Sequence, residues 1–348
     1  MRVLFVPVSA ARGFGEYARA REIALAALAR WPQAQLHFVL SAQSPYAAAC
    51  PFPTTLLPGS ATLHTPRVIA LLQTFKPDLV IFDNAGRTAQ LRAARAAGAR
   101  VVYVSSRRRQ RRKAFRLRWM RMLSEHWIAY PEIIAGPLSW LERLKLKLLA
   151  RPRVRYLDTV LPALPAIDSA ALPPESLPDF VLVVPGGGTA HRGARSAPEI
   201  IAAAAAGLAA RGIPTVLVGN AAAPAAVPLL TVLPLLPQAQ LVGLLGQARV
   251  VVSNGGDTLL QALACGCACV AVPIAHDQAA RIARCRELHL VKEAALDSAA
   301  IVAAVAQLHA DEPGRQALLA AGRAIGVKDA MPQILEWVTA LLAGGAPA

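Results

Sequence analysis

Short apolar runs alternate with longer amphipathic segments through the first half of the chain. A strand buried on both faces is a short run of β-branched and apolar residues, whereas a helix spreads its apolar positions over one face. This alternation predicts a parallel sheet with right-handed crossovers. The predicted strands cover residues 3–8, 35–40, 79–82 and 101–104, and the predicted helices cover 16–31 and 88–97.

A proline-dense stretch interrupts this pattern, with Pro162, Pro165, Pro173, Pro174 and Pro178. Its composition predicts an interdomain linker. The alternation then restarts, so we expect two Rossmann-like α/β domains that face each other across a cleft. The domains are expected at 1–162 and 179–348 around a linker at 163–178, with a final helix over about 332–342 that packs back towards the N-terminal domain. The second half predicts strands at 180–184, 216–218, 250–252 and 269–272 and a helix at 197–210.

Two glycine turns follow predicted strands of the second half. One is the Gly186-Gly187-Gly188 turn, and the other runs from Asn254 to Thr258 with Asp257 or Thr258 as the expected helix cap. Because such a turn exposes backbone N–H groups at the positive end of a helix dipole, it predicts a phosphate site. The strand at 269–272 leads into a polar loop at 276–278, at the sheet edge where open α/β folds bind ligands.

Four segments give the chain a family resemblance: "PVSAARGFGEYARAREIALAAL", "VVPGGGTAHRGA", "SNGGDTLLQALACG" and "VPIAHDQAARIARC". Together they resemble GT-B fold glycosyltransferases, nearest to the branch of the bacterial peptidoglycan N-acetylglucosaminyltransferase and the UDP-glycosyltransferase-like enzymes. The resemblance spans both halves in order and spacing. It implies a nucleotide-sugar substrate, with UDP the commonest donor nucleotide of the family, and no separate cofactor.

The resemblance also implies a donor site. Its glycine turns would bind the diphosphate, the acid and amide of Asp277 and Gln278 would bind sugar hydroxyls, and Gln261 stands near the place where many relatives have a ribose-binding glutamate. His191 either contacts phosphate or is a solvated loop residue. The implied donor-binding residues are Gly187, Gly188, Thr189, Arg192, Asn254, Gly255, Gly256, Asp257, Thr258, Gln261, Asp277 and Gln278.

Glycosyl transfer needs a base for the acceptor hydroxyl. Glu16 follows a glycine turn at a helix start, and Asp83 ends the strand in "PDLVIFDN"; each is either that base or a helix-capping acid. A single displacement with either carboxylate would invert the sugar. The sequence has no D-x-D pair for a metal, so backbone N–H groups are expected to stabilise the leaving diphosphate. The acceptor-side residues are predicted to be Gly13, Gly15, Arg107 and Arg108.

The net charge of +16 indicates an anionic partner, and the segment 107–121 carries basic but no acidic residues. Interleaved Phe115, Trp119, Met120, Met122 and Trp127 give this region an amphipathic pattern. The hypotheses are peripheral contact with an anionic membrane, binding of a lipid-linked pyrophosphate acceptor, or a solvated helix that covers the sheet. The pattern fits no nucleic-acid-binding module, so no nucleic-acid partner is expected.

The apolar content of 55% excludes a disordered chain, and no apolar run predicts a membrane span. The first residues predict no secretory signal, so the expected location is the cytoplasm, with possible contact at the inner membrane face. The five cysteines are interpreted as reduced structural thiols. Two alternatives stay open: a nucleotide-sugar hydrolase or epimerase, and a non-catalytic membrane- or polyanion-binding relative.

Overall fold

The computed structural model describes residues 1–9, 14–163, 179–185, 197–219 and 227–344, and for residues 276 and 277 the backbone alone. The chain divides into two compact units, Met1–Val160 with Ala330–Ala348 (unit 1) and Leu161–Asp329 (unit 2). Each unit has a parallel sheet with interleaved helices, so the prediction of two Rossmann-like α/β domains is confirmed. Of the linker predicted at 163–178, only Ala163 lies within the described residues.

The strands follow the sequence pattern closely, because they are the runs that can be buried on both faces. Unit 1 contains β1 (Arg2–Pro7), β2 (Gln35–Ser41), β3 (Thr54–Leu57), β4 (Leu79–Asp83), β5 (Arg100–Ser105), β6 (Glu125–Ile128) and β7 (Arg153–Tyr156). Unit 2 contains β8 (Val181–Val184), β9 (Thr215–Val218), β10 (Leu230–Leu233), β11 (Val250–Ser253), β12 (Cys269–Ala271) and β13 (Lys292–Glu293).

The helices that connect these strands cover both sheets. Those of unit 1 are α1 (Gly15–Arg30), α2 (Thr65–Phe75), α3 (Thr88–Ala96), α4 (Arg108–Ala114), α5 (Leu117–Met120), α6 (Glu132–Ala135) and α7 (Trp140–Leu149). Those of unit 2 are α8 (Ala197–Ala210), α9 (Gln238–Leu245), α10 (Asp257–Ala264), α11 (His276–Glu287), α12 (Ser298–Ala310) and α13 (Glu312–Ile325). The last helix, α14 (Met331–Ala343), returns to unit 1.

Alternate residues of the central strands supply two cores in unit 1. Val3 and Phe5 of β1 join the cluster that α14 covers with Ile334, whereas Leu4 and Val6 join the cluster on the opposite face. This is the period-two alternation of a strand. In unit 2, β8 contributes Val181 and Val183 in the same way to a cluster that α8 and α12 cover. No described helix is long and apolar enough to span a bilayer.

Both sheets reverse their strand order at one position. In the described residues the orders are β3-β2-β1-β4-β5-β6-β7 and β10-β9-β8-β11-β12-β13, all neighbours being parallel. The order reverses between β1 and β4 in unit 1 and between β8 and β11 in unit 2. Ligands of open α/β sheets bind outside the carboxyl ends of the strands at such switch points.

His126 is fully buried in the unit 1 core. Its Nε2 lies 2.8 Å from the Oγ of Ser105 on the neighbouring strand. Burial disfavours the charged imidazolium and lowers the pKa of His126 from 6.5 to about 3, and the nearby Arg111 lowers it further. Between these two pKa values the unfolded chain binds a proton that the folded chain does not.

We therefore expect His126 to make the protein less stable as the pH falls below 6.5. Its contribution to the free energy of unfolding should fall by about 2 kcal/mol between pH 6.5 and about pH 5, since one pKa unit corresponds to about 1.4 kcal/mol. Urea unfolding of the wild type and of His126→Gln at both pH values measures this difference. Equal acid sensitivity of the two proteins would contradict it.

Candidate functional site

A hydrogen-bonded cluster lies at the switch point of unit 1. Asn84 follows β4 directly, and its Nδ2 donates to Glu16 Oε1 at 2.9 Å and to Ser106 Oγ at 2.5 Å. The backbone N–H of Ser106 donates to Asn84 Oδ1 at 3.0 Å. One amide side chain thus joins the residues that follow β4 and β5 to the first turn of α1.

The position of Asn84 explains why an asparagine serves there. Its backbone is left-handed, with φ at 51°, a conformation that asparagine adopts more readily than most residues. Its N–H donates to Val104 O at 2.9 Å and so continues the ladder with β5. The side chain can then turn across the carboxyl edge towards Glu16, which is half-buried.

Aromatic side chains form a wall beside Glu16. The rings of Tyr17 and Tyr46 are stacked with their centroids 4.2 Å apart, and the exposed ring of Phe14 meets both edge-on. Burial raises the pKa of Tyr46, and the negative charge of Glu16 raises it further. This part of the switch point therefore places a carboxylate beside stacked aromatic rings.

The two carboxylates predicted as alternative bases have different surroundings. Asp83 is 2% exposed and receives two hydrogen bonds from Arg19, at 2.8 Å from Nε and 3.0 Å from Nη2. A buried bidentate pair of this kind holds α1 against β4 and keeps the carboxylate occupied. Glu16 is half-buried and the more accessible of the two, whereas Asp83 is buried in its ion pair with Arg19.

The other predicted acceptor-side residues lie near this edge or outside the described chain. Gly15 begins α1, and Gly13 lies outside the described residues. Arg107 and Arg108 come directly after Ser106, at the start of α4, and both are exposed.

The basic segment 107–121 does not form the amphipathic membrane helix that its pattern suggests. It folds as two short helices, α4 and α5, and Phe115, Trp119, Met120 and Trp127 are all buried in unit 1. Trp119 also donates from Nε1 to Thr88 Oγ1 at 3.0 Å. These aromatics are core residues, so insertion of them into lipid, one of the sequence-based hypotheses, is wrong.

A different helix of unit 1 exposes an apolar face. Trp140, Leu141, Leu144 and Leu148 of α7 point to solvent, with Trp140 67% and Leu148 74% exposed. These positions fall on one side of the helix, flanked by Arg143 and Lys147. The opposite side is fixed to the protein, because Arg111 of α4 donates to both oxygens of Glu142 at 3.1 and 2.9 Å.

In unit 2 an asparagine also follows the switch-point strand. Asn254 comes after β11, and its Nδ2 donates to Pro185 O at 2.8 Å, just beyond β8. Its Oδ1 accepts the N–H of Gly256 at 2.8 Å, which fixes the turn into α10. The helix cap expected at Asp257 or Thr258 is wrong: Gly256 is the cap residue, and Asp257 and Thr258 already have helical backbone in the first turn.

A side chain would make close contacts at both glycines of this turn. A Cβ at Gly255 would lie 2.9 Å from Ile282 Cγ1 and 3.0 Å from Gln278 Cβ. A Cβ at Gly256 would lie 2.7 Å from Asn254 Oδ1. The side chain of Arg281 also donates to Gly255 O. The starts of α10 and α11 are therefore in close contact.

The segment predicted as a polar loop at 276–278 is the first turn of α11. Gln278 Oε1 accepts the N–H of Ile274 at 3.0 Å and so fixes the loop before the helix. Gln261 is buried in α10, where its Oε1 accepts from Gln238 Nε2 at 2.7 Å. The Oγ of Ser253 at the end of β11 is also buried, without a hydrogen-bond partner among the described residues.

Several predicted donor residues cannot be placed. Gly187, Gly188, Thr189, Arg192 and His191 lie outside the described residues, as does the side chain of Asp277. Among the described residues, no three His, Cys, Asp or Glu side chains form a group that could hold a metal ion. Cys267, Cys269 and Cys285 are buried thiols; burial raises the pKa of Cys285 to about 11.

Sequence reasoning missed three residues of the unit 1 cluster: Asn84, Ser106 and Tyr46. Asn84 stands one position after Asp83, and Ser106 one position before the arginine run, so both are uncharged residues beside charged ones. The available signal was a polar residue two positions beyond each predicted strand, since the carboxyl ends of parallel strands share one edge. Nothing in the local pattern marks Tyr46.

Several solved structures resemble this chain over nearly its whole length. The spinosyn forosaminyltransferase SpnP has a TM-score of 0.70 at 16% identity, with 99% of both chains covered. Arabidopsis thaliana UGT89C1 complexed with UDP has a TM-score of 0.66 at 16% identity, covering 98% of this chain and 99% of that one. An assigned UDP-N-acetylglucosamine 2-epimerase from Listeria monocytogenes has a TM-score of 0.66 at 12% identity, covering 100% and 98%.

No protein-family model matches the sequence, and a search of curated proteins finds no match. At these identities the structural likeness establishes the fold. The chain has the two-domain fold of the GT-B glycosyltransferases among these structures.

Proposed function

We propose that this protein is an inverting, metal-independent glycosyltransferase. It moves a sugar from a nucleoside diphosphate sugar to a lipid-linked or cell-envelope glycan, and UDP is the nucleotide we expect in the donor. Unit 2 binds the donor, and unit 1 binds the acceptor. The observation that carries the proposal is the Asn254–Gly256 turn, which presents the start of α10 at a switch point. The nucleotide sugar is a substrate, and neither a cofactor nor nucleic acid takes part.

In this mechanism Glu16 is the general base. The Asn84 amide holds one carboxylate oxygen of Glu16, and the other takes the proton of the acceptor hydroxyl. The acceptor oxygen attacks the anomeric carbon while the bond to the diphosphate breaks on the opposite face, which inverts the configuration. The diphosphate keeps the electron pair, and the N–H groups at the start of α10 stabilise its charge.

The rest of the donor site follows the family resemblance. Gly187, Gly188, Thr189 and Arg192 complete the diphosphate site. Asp277 and Gln278 bind sugar hydroxyls. Gln261 binds the ribose after its hydrogen bond from Gln238 is replaced by one from a ribose hydroxyl. The Ser253 hydroxyl adds a donor at the end of β11, which the buried and unpartnered oxygen supports.

We assign peripheral membrane contact to α7 instead of the arginine run. A helix with an exposed face of tryptophan and leucines between basic residues suits the interface of an anionic bilayer. Arg108, Arg109 and Arg112 on the adjoining α4 are also exposed and add positive charge. Contact at the inner membrane face would bring unit 1 to a lipid-linked acceptor.

The second candidate is a nucleotide-sugar epimerase or hydrolase. Likeness to the Listeria monocytogenes protein favours it, because that fold also serves an enzyme assigned as an epimerase. The two functions differ in their need for an acceptor. Release of free sugar or of an epimer from UDP-sugar without any acceptor would replace the transferase proposal.

Donor binding is tested with UDP and UDP-sugars by thermal unfolding. A ligand that binds the folded protein raises its melting temperature by mass action. Gly256→Ala should raise the UDP concentration needed for the same rise in melting temperature at least about tenfold. The reason is that the new methyl group displaces Asn254 from the turn. Gly246→Ala is the matched control, since its Cβ meets nothing closer than 3.8 Å. Equal UDP affinity in both variants would contradict the assigned site.

The base is tested with Glu16→Gln. We expect the rate of sugar transfer from the best-binding UDP-sugar to membrane glycolipids to fall by about 10²–10⁴-fold, the usual contribution of a general base. UDP affinity should be unchanged, and EDTA should leave the wild-type rate as it is. An undiminished rate would remove Glu16 from the mechanism.

Asp83→Asn separates the two carboxylates. It leaves the Arg19 guanidinium buried without its ionic partner, so the free energy of unfolding should fall by about 3–5 kcal/mol. Glu16→Gln should change that quantity little, since Glu16 is partly exposed. A stable Asp83→Asn protein with a large loss of rate would make Asp83 the base.

Membrane contact is tested with vesicles rich in phosphatidylglycerol. Leu144→Glu/Leu148→Glu should lower the bound fraction at least about tenfold, because it removes two apolar side chains from the lipid-facing side. Leu56→Glu/Leu63→Glu alters two other exposed leucines of unit 1 and should bind like the wild type. Loss of binding in both variants, or in neither, would overturn the assignment to α7.

A further inference from the structure

A pocket lies at the amino edge of the unit 1 sheet, at the far end of the strands from Glu16 and Asn84. Its volume is about 320 Å³, at the lower end of the range for small-molecule sites. Arg100 begins β5 at this pocket, whereas Ser106 follows the other end of β5, about 20 Å away at 3.3 Å per residue. The pocket is thus distinct from the proposed acceptor site.

Positive charge dominates the lining. Four arginines border the pocket: Arg95, Arg100, Arg151 and Arg153. They come from the end of α3, the start of β5, the segment that joins α7 to β7, and the start of β7. Residues far apart in the sequence therefore converge on one space.

Three of the four arginines, Arg95, Arg151 and Arg153, lack a carboxylate partner in the described part of the chain. Glu125 borders the pocket, but its carboxylate accepts from Trp127 Nε1 at 2.6 Å and from Arg155 Nη2 at 3.4 Å. Arg100 donates to the carbonyl of Gly344 just beyond α14.

The arginines are close enough to affect one another. Partial burial lowers the pKa of Arg95, and the positive charges of Arg151 and Arg100 lower it further. Like charges held together oppose folding unless a counter-charge is present. A bound anion would remove this repulsion.

The remaining lining defines what kind of anion fits. Ser124 Oγ accepts the backbone N–H of Val101 at 3.1 Å, so its own O–H can donate to a ligand. Leu123 and Leu341 provide apolar contacts for a small organic group. Guanidinium groups bind phosphate oxygens in pairs with good geometry, which favours phosphate over a halide.

We propose that this arginine pocket is a binding site for a small, soluble phosphorylated anion, separate from the site of sugar transfer. The ligand bridges the end of α3 and the start of β7. Because Leu341 and Gly344 also line the pocket, the ligand fixes the last turn of α14 on unit 1. The proposal does not depend on glycosyltransferase activity.

The test measures thermal unfolding of the full chain in pyrophosphate against chloride at equal ionic strength. At a pyrophosphate concentration a hundredfold above Kd, the melting temperature of the wild type should rise by about 5–10 °C. Arg95→Gln/Arg151→Gln should lose this rise. Arg67→Gln/Arg118→Gln removes two exposed arginines elsewhere in unit 1 and should keep it.

Two further results make the test decisive. In chloride alone, Arg95→Gln/Arg151→Gln should melt no lower than the wild type, because the substitutions relieve repulsion. Pyrophosphate should also slow amide hydrogen exchange in the last turn of α14 in the wild type alone. No stabilisation of the wild type, or equal stabilisation of Arg95→Gln/Arg151→Gln, would overturn the proposal.

Discussion

Burial of both faces of a parallel sheet is the constraint on which the structure depends. Helices cover the faces, so polar chemistry is confined to the two edges where strands begin and end. In unit 1 the carboxyl edge carries Glu16, Asn84 and Ser106, and the amino edge carries the arginine pocket. In unit 2 the carboxyl edge carries the turn at Asn254.

Both units have an asparagine directly after the strand at the switch point. The first strand of each sheet pairs with the strand across the switch point, β4 or β11, and an asparagine comes directly after that strand. Asn84 connects this edge to a helix start and to the end of β5, and Asn254 connects it to Pro185 and to the next turn. An amide side chain can donate and accept hydrogen bonds at the same time. Each asparagine therefore forms hydrogen bonds with backbone groups and fixes the conformation of the neighbouring loop.

The sequence predicts the sheets better than it predicts the sites. The strands near 3–8, 79–82 and 250–252 and the helix at 197–210 could be read from periodicity, because burial alone determines them. The fold of the basic segment could not, since its pattern does not show that Trp119 packs on Tyr103 of β5 and Phe115 on His126 of β6. The cap at α10 was missed for a similar reason: Asn254 satisfies the Gly256 N–H from outside the helix. The exposed apolar face of α7 was not predicted, and the structure shows that Arg111 holds the opposite side of this helix inward.

The contact between Gly255 and Gln278 has an evolutionary consequence. The turn proposed to hold the diphosphate and the segment proposed to hold the sugar meet without space for a methyl group. Gln278 also fixes Ile274, so a substitution there would disturb both segments together. Under the proposed function, a substitution at Gly255 or Gln278 would therefore alter nucleotide affinity and sugar preference together. A change of donor sugar is better sought farther along α11, where side chains do not abut the glycine turn.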